Sequence, residues 1–453
     1  MGCAPTKKTA PDDADAQTES PKSAQQDVAE WKKRAKAIAL KLRAVPIEID
    51  RVLSDPRWDR KISRIACSIL QDVDQADKDR LVELTAAASR VGDRALGAFV
   101  GLAVGDWVGA PLEFLDAVQT PKATSYWDMG AFAYLGPLPE NKERDALQLG
   151  QFTDDTSMAL CLADSLLSCG EYDGSDVRKR YWSWHAEGMN NCFRNDESRA
   201  RRHSFGLGYN ICRGLSQLTV GEPVPPFFVD ESSDDSGNGS LMRLAPVPIF
   251  CAHASDAELR RMAMDSSRST HTGKLAAECC ACWAFLVRHA IVRPSTHARA
   301  REVIDEGIKR YMEVYAADTS PELKSLLLAD APADGKEACW RWREPVLRLE
   351  ATAEARGEQY NGYPFTLGYF GSFCVDALAI ALHVNYHNTD FDSTVAHGAN
   401  LLGDADTNAA IAGQLAGAVY GYWGINPRYV EALRRWDDGE IATRAALLLA
   451  VAS

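Results

Sequence analysis

The chain has 453 residues, 46% of them hydrophobic and 25% charged, so a sizeable core fits in one large domain or two ordinary ones. Its 63 acidic residues against 50 basic ones leave a net charge of −13, which argues against a general nucleic-acid binder, since such proteins attract phosphates with a basic surface. An anionic substrate therefore needs locally placed positive charge.

The sequence starts MGCAPT. Gly2 follows the initiator Met and Thr6 holds the hydroxyl position of a myristoylation pattern; Cys3 is a palmitoylation candidate, and Lys7 and Lys8 follow. One myristoyl chain holds a membrane marginally, whereas two acyl chains, or one with basic residues, hold it stably. The expectation is membrane anchoring through Gly2 and Cys3 acylation in a eukaryotic cell. Residues 1–28 are polar, rich in Pro, Lys, Asp, Gln and Ser, and read as a disordered spacer. From 29 to 90 the period turns helical. Trp31, Ala35, Ile38 and Leu42 share one face, and Ile62, Ile65, Ile69 and Val73 share another beyond Pro56. This is a helical extension ahead of a domain spanning 91–453.

In that domain helix-period segments alternate with Gly, Pro and Asp loops, and no set of alternating strands emerges, so the fold class is all-α. Long loops are expected at 116–150, 221–237 and 330–345; such loops in compact domains are often functional. No window offers the uninterrupted apolar span of roughly 20 residues that a membrane helix needs; the nearest candidates carry Asp106 and Gln414. The 12 cysteines show no zinc-type spacing. Cys279, Cys280 and Cys282 read as reduced thiols in a helix core, and the protein as cytoplasmic.

Two helices carry glycine stripes. Gly97, Gly101, Gly105 and Gly109 recur every four residues, as do Gly413, Gly417 and Gly421. Each mid-helix glycine costs about 1 kcal/mol relative to alanine. The offsetting gain is a face without Cβ atoms, which lets another helix approach closely. Each stripe runs up to an acidic end, Glu113 in one case and Asp404 in the other.

FTDDTSMAL from Phe152 and GDADTNAAIAGQLAG from Gly403 place carboxylates and threonines directly before helix patterns. Capping explains one such cluster well, because Asp and Thr side chains accept from first-turn N–H groups. Two clusters favour a second reading. If Glu113, Asp154, Asp155, Asp404 and Asp406 converge, they repel by roughly 4 kcal/mol per close pair, and divalent cations are the natural neutraliser. Oxygen-only ligation suits Mg²⁺, with Mn²⁺ as substitute, and a cluster of this size suits two ions.

The blocks GLAVGDWVGAPLEF, FTDDTSMAL, GNGSLMRLAPVPI, STHTG and GDADTNAAIAGQLAGAVYG, in that order over about Asp93 to Leu449, resemble the ADP-ribosylglycohydrolase family. That family includes dinitrogenase-reductase-activating glycohydrolases and ADP-ribosylarginine and ADP-ribosylserine hydrolases. The resemblance implies a compact orthogonal multi-helix domain, two Mg²⁺ ions, and release of ADP-ribose from a modified side chain or small acceptor. By motif position it implies metal ligation by Glu113, Thr153, Asp154 and Asp155 from the first half, and by Asp404, Asp406 and Thr407 from the second. Glu113 or Asp155 would carry the proton. Gly237, Asn238, Gly239 and Ser240 would form a turn whose N–H groups cradle a diphosphate. His271 would sit near the cleft, and Gly371, Ser372 and Phe373 would line the nucleoside pocket. One departure is Ala405, where the family commonly has a hydroxyl; losing a contact around a metal ligand costs 10- to 100-fold in affinity or activity. An inactive ADP-ribose-binding scaffold, or an unrelated two-metal phosphoesterase, is the competing reading.

Overall fold

A computed structural model describes residues 21–43, 68–115, 117, 147–196, 204, 206–219, 222–231, 235–294, 299–357 and 369–452. Gly2, Cys3, Ile62, Ile65 and most of the 116–150 loop lie outside them. The described residues form seventeen α-helices joined by loops and short 3-10 turns. The first six are α1 (Pro21–Arg43), α2 (Gln75–Ala88), α3 (Arg90–Gly109), α4 (Asp154–Cys169), α5 (Gly174–Glu187) and α6 (Tyr209–Ser216). Next come α7 (Pro246–Phe250), α8 (Asp256–Arg268), α9 (Lys274–Val292), α10 (Ala300–Tyr315), α11 (Pro321–Leu328) and α12 (Leu349–Arg356). The last five are α13 (Cys374–His387), α14 (Phe391–Asn400), α15 (Ala405–Tyr420), α16 (Pro427–Asp437) and α17 (Glu440–Val451). An isolated antiparallel bridge between Gly237 and Phe373 is the only β pairing among them, so the all-α reading holds.

The two glycine stripes pack on each other. A Cβ added at Gly97, Gly101, Gly105 or Gly109 would overlap the backbone of Gly417, Gly413, Ala409 or Ala405, in that order. The pairing is therefore antiparallel and backbone to backbone, and it makes α3 and α15 the central pair. Because they run opposite ways, the residues just after α3 meet those just before α15. There Phe114 N donates to the Gly403 carbonyl at 2.9 Å and Gly403 N to the Leu115 carbonyl at 2.8 Å. Both Phe114 and Gly403 hold φ of 68°, the left-handed region that glycine enters freely and phenylalanine rarely.

Two helices are long and apolar enough to cross a membrane, Arg90–Leu112 and Lys274–Val292, and they are 94% and 89% buried. Both are core helices here. The first is the window expected to fail on Asp106; the second was missed because Lys274, Glu278 and Arg288 sit at separate turns of an otherwise apolar helix. Cys279, Cys280 and Cys282 are buried free thiols of α9.

Ahead of the domain, α1 starts at Pro21, inside the stretch 1–28 read as a disordered spacer. It lays Trp31, Ala35 and Leu42 onto the core with Ile38 half-buried, as its periodicity predicts, and buries Ala39 as well. The second predicted face fails where it is described: Ile69 and Val73 lie in a turn, and the next helix begins only at Gln75. A buried ion network joins α2 to α17 and α4. Lys78 Nζ lies 2.7 Å from Glu440, and Arg444 lies 3.1 Å from Glu440 and 2.6 Å from Asp164.

Candidate functional site

The antiparallel α3–α15 pair fixes where the carboxylates meet. Glu113 follows the 3-10 turn Ala110–Leu112 that ends α3, Asp404 is the N-cap of α15, and Asp406 stands in its first turn. α4 packs alongside and brings Thr153 at its N-cap with Asp154 and Asp155 in its first turn. Neither Thr153 nor Asp404 makes a side-chain cap bond, so capping does not account for them. Two carboxylate triplets result: Asp106, Asp155 and Asp406 in one, Glu113, Asp404 and Asp406 in the other. Within each, one oxygen per residue lies within 4.8 Å of the others. Asp406 belongs to both.

Asp106 is the residue that sequence reasoning missed. Fully buried in α3, it accepts from Thr153 N at 3.0 Å, Thr153 Oγ1 at 3.0 Å, Thr156 N at 3.0 Å and Thr156 Oγ1 at 2.6 Å. It thus pins the turn that carries Asp154 and Asp155. The signal was a lone carboxylate interrupting a glycine-striped apolar helix, where an unpaired charge is untenable. Tyr369 was also missed. It stacks on Phe114 with ring centroids 5.3 Å apart and hydrogen-bonds Asp404; no pattern around it announced this.

The electrostatics fit bound cations. Burial raises Asp106 to about 6. Burial, then the charges of Asp106 and Asp404, raises Asp154 to about 7. Burial first and neighbouring carboxylates second push Asp155 and Asp406 well above the usual range. Asp155 Oδ1 is buried with no hydrogen-bond partner, which leaves a lone-pair acceptor without a donor at the centre of an all-oxygen cluster. The residues present suit hard divalent cations. Asp154 stands apart from both triplets, half-buried and against the backbone of Gly206. Thr407 is buried, and its N–H donates to Asp406 Oδ1 at 2.8 Å.

The glycine-rich turn abuts this cluster. Asn238 Nδ2 donates to Asp404 Oδ2 at 2.7 Å and to the Gly371 carbonyl at 3.0 Å, while Asn238 N donates to the Ser372 carbonyl at 2.9 Å. Gly237, Asn238, Gly371, Ser372 and Phe373 therefore form one paired unit. Gly237 N goes to Asp235 Oδ1 at 3.1 Å, and Gly239 and Ser240 are buried, Ser240 completely. Buried Arg243 holds the Gly239 carbonyl at 2.6 Å. In a trans peptide the next N–H points the opposite way, so Ser240 N–H faces away from Arg243. The Ser240 hydroxyl turns into the core, 2.8 Å from Ser267 Oγ. His271 lies under the turn, its ring 3.1 Å from where a Cβ on Gly239 would sit, with Nδ1 2.8 Å from Thr270 Oγ1. Burial, then the Arg243 charge, lowers His271 to about 3, so it is a neutral ring at physiological pH.

An all-helical domain with converging carboxylates beside a glycine turn defines a class of protein with an acidic, oxygen-lined centre suited to hard cations. The ADP-ribosylglycohydrolase sequence profile matches residues 87–452, and the chain belongs to that family. It is 30% identical over 339 residues to ADP-ribosylarginine hydrolase Tri1 of Pseudomonas putida (strain GB-1), covering 75% of this chain and 74% of that one. It is 27% identical to the ADP-ribosyl-[dinitrogen reductase] glycohydrolase of Rhodospirillum rubrum, covering 80% and 97%. A solved ADP-ribosylglycohydrolase-related protein complex superposes with a TM-score of 0.56 at 30% identity, covering 80% of this chain and 99% of that one.

Proposed function

We propose that this protein hydrolyses the glycosidic bond between ADP-ribose and an arginine side chain, using two divalent cations, Mg²⁺ or Mn²⁺. The carrying observation is the pair of triplets sharing Asp406, with the partnerless Asp155 oxygen between them. The likeness to the Tri1 hydrolase supports arginine as the aglycone. So does charge, because a guanidinium suits a carboxylate-lined cleft. Bound by these residues, the cations would orient ribose hydroxyls and lower the pKa of a water.

The chain's own groups do the rest. The glycine turn, with the Arg243 charge beneath it, receives the diphosphate without adding net charge to the surface. As the sugar gains oxocarbenium character the guanidinium departs as neutral guanidine, and the proton that the attacking water loses on bonding to the sugar passes to it. Glu113 is half-buried whereas Asp155 is 1% exposed, so Glu113 is the better placed to exchange that proton. A cytoplasmic location with membrane attachment through Gly2 and Cys3 completes the reading; an unchanged membrane fraction in Gly2→Ala would refute the anchor alone.

The test is hydrolysis of ADP-ribosylarginine and ADP-ribosylserine peptides, with Mg²⁺ or EDTA, in wild type and Asp404→Ala. Metal-dependent release of ADP-ribose from the arginine peptide, lost in the variant, is expected. Tight ADP-ribose binding with neither peptide cleaved would make it a binding protein, and AMP with ribose phosphate as products would mean phosphoester chemistry instead.

A further inference from the structure

Exposed basic side chains on the described surface are mostly paired, as are Arg34 with Glu30 and Asp77, Arg80 with Glu83, Arg261 with Glu258 and Asp265, and Arg434 with Asp79, or, like Arg301, Lys309 and Arg310 of α10, share their helix with exposed acids, here Glu302, Asp305, Glu306 and Glu313. The outer side of α1 breaks that pattern. Its inner side is fixed by Trp31, Ala35, Ala39 and Leu42. A helix turns about 100° per residue, which sets Lys33 and Leu40 opposite the core, with Lys36 and Lys41 on the two flanks and Lys32 at the margin nearest the core. All four lysines are exposed, none has an ion-pair partner among the described residues, and Leu40 is 64% exposed. Glu30, the one acid on α1 whose side chain is described, is held by Arg34 at 3.0 Å.

We infer that this face of α1 docks on an anionic lipid surface, with the lysines among the headgroups and Leu40 entering the interface. Charge complementarity carries the argument. A chain of net charge −13 is repelled by an anionic surface everywhere except at such a patch, so the patch sets both attachment and orientation. The face is a single convex helix side with one apolar residue among long-stemmed cations, which suits a fluid interface in which lysine stems lie along acyl chains and ammonium groups remain in water. The surface is independent of acylation, so a Gly2→Ala chain retains it.

The experiment is co-sedimentation of full-length Gly2→Ala protein with vesicles of phosphatidylcholine alone or with phosphatidylserine added. Binding is expected only to the anionic vesicles and should fall as salt rises. Changing Lys32, Lys33, Lys36 and Lys41 together to Gln should remove it, each lysine being worth about fivefold in partitioning, while far-ultraviolet circular dichroism and ADP-ribose binding stay unchanged. Leu40→Ser, which alters no charge, should weaken binding severalfold. Equal sedimentation of the Gly2→Ala chain and the lysine variant, or equal binding to neutral vesicles, overturns the proposal. So does failure to bind vesicles with capture by poly-glutamate, which would assign the face to an acidic protein.

Discussion

Replacing Gly101 by Ala, with Gly413→Ala as its mirror, tests the central pair directly. An ordinary helical Gly→Ala change stabilises by about 1 kcal/mol. Here the new Cβ would overlap the Gly413 carbonyl, or from the other side the Gly101 carbonyl. Overpacking a core costs about 1–3 kcal/mol when side chains can adjust. These neighbours are helix backbone, which cannot rotate away, so the cost sits at or above the top of that range. The net is destabilisation by about 2 kcal/mol or more, opposite in sign to propensity. Urea unfolding reads it as a lower midpoint at unchanged slope. Separating the helices also separates Glu113 from Asp404, so Mg²⁺ should protect the variants less than wild type. A Gly101→Ala protein as stable as wild type, or more so, would refute the backbone-to-backbone packing on which the site's assembly rests.

Other outcomes follow from the same geometry. Asp106→Asn replaces an acceptor of four hydrogen bonds but also removes a carboxylate held at about 6 by burial. Asparagine keeps one acceptor oxygen, so two bonds at roughly 1.5–3 kcal/mol each are lost. Against that stands about 3 kcal/mol of relieved burial cost for a carboxyl raised from 3.8 to about 6. The metal-free protein should lose at most about 3 kcal/mol while its Mg²⁺ affinity by calorimetry falls at least tenfold. Unchanged affinity would remove Asp106 from the site. His383, 1% exposed, is lowered from 6.5 to about 4 by burial and then by His387 and His397. The unfolded chain takes up that proton near 6.5 and the folded chain only near 4, so stability present above 6.5 is lost as pH falls towards 4. The loss is roughly 3 kcal/mol, and His383→Gln should flatten that limb of the stability profile. Lys78→Met removes one of three cations around Glu440, leaving Arg444 and Arg194. It should cost about 1–3 kcal/mol, the worth of a hydrogen bond to a charged group and less than an uncompensated buried charge; no loss in urea unfolding would mean that α2 is not held there.

The sequence carried most of the site because the same short-range rule that marks a helix start also marks its chemistry. Asp154, Asp155, Asp404 and Asp406 stand at helix N-termini, and the antiparallel contact of the glycine stripes lets Asp155, Asp404 and Asp406 converge while Asp154 stays apart. What stayed hidden has a physical reason in each case. Asp106 acts from inside a helix, where periodicity reads it as an interruption. Tyr369 meets Phe114 through a backbone exchange with Gly403, a contact set by tertiary geometry with no local signature. Ser240 was grouped with its turn, yet its hydroxyl turns into the core. The turn itself is held by Arg243, a fully buried cation that in the proposed function would supply local positive charge while adding none to the surface. Composition registers that arginine only as one of 50 basic residues. Its part comes from position: the guanidinium holds the Gly239 carbonyl at 2.6 Å, and by fixing that peptide it fixes the turn that in the proposed function would meet an anion beside the carboxylates.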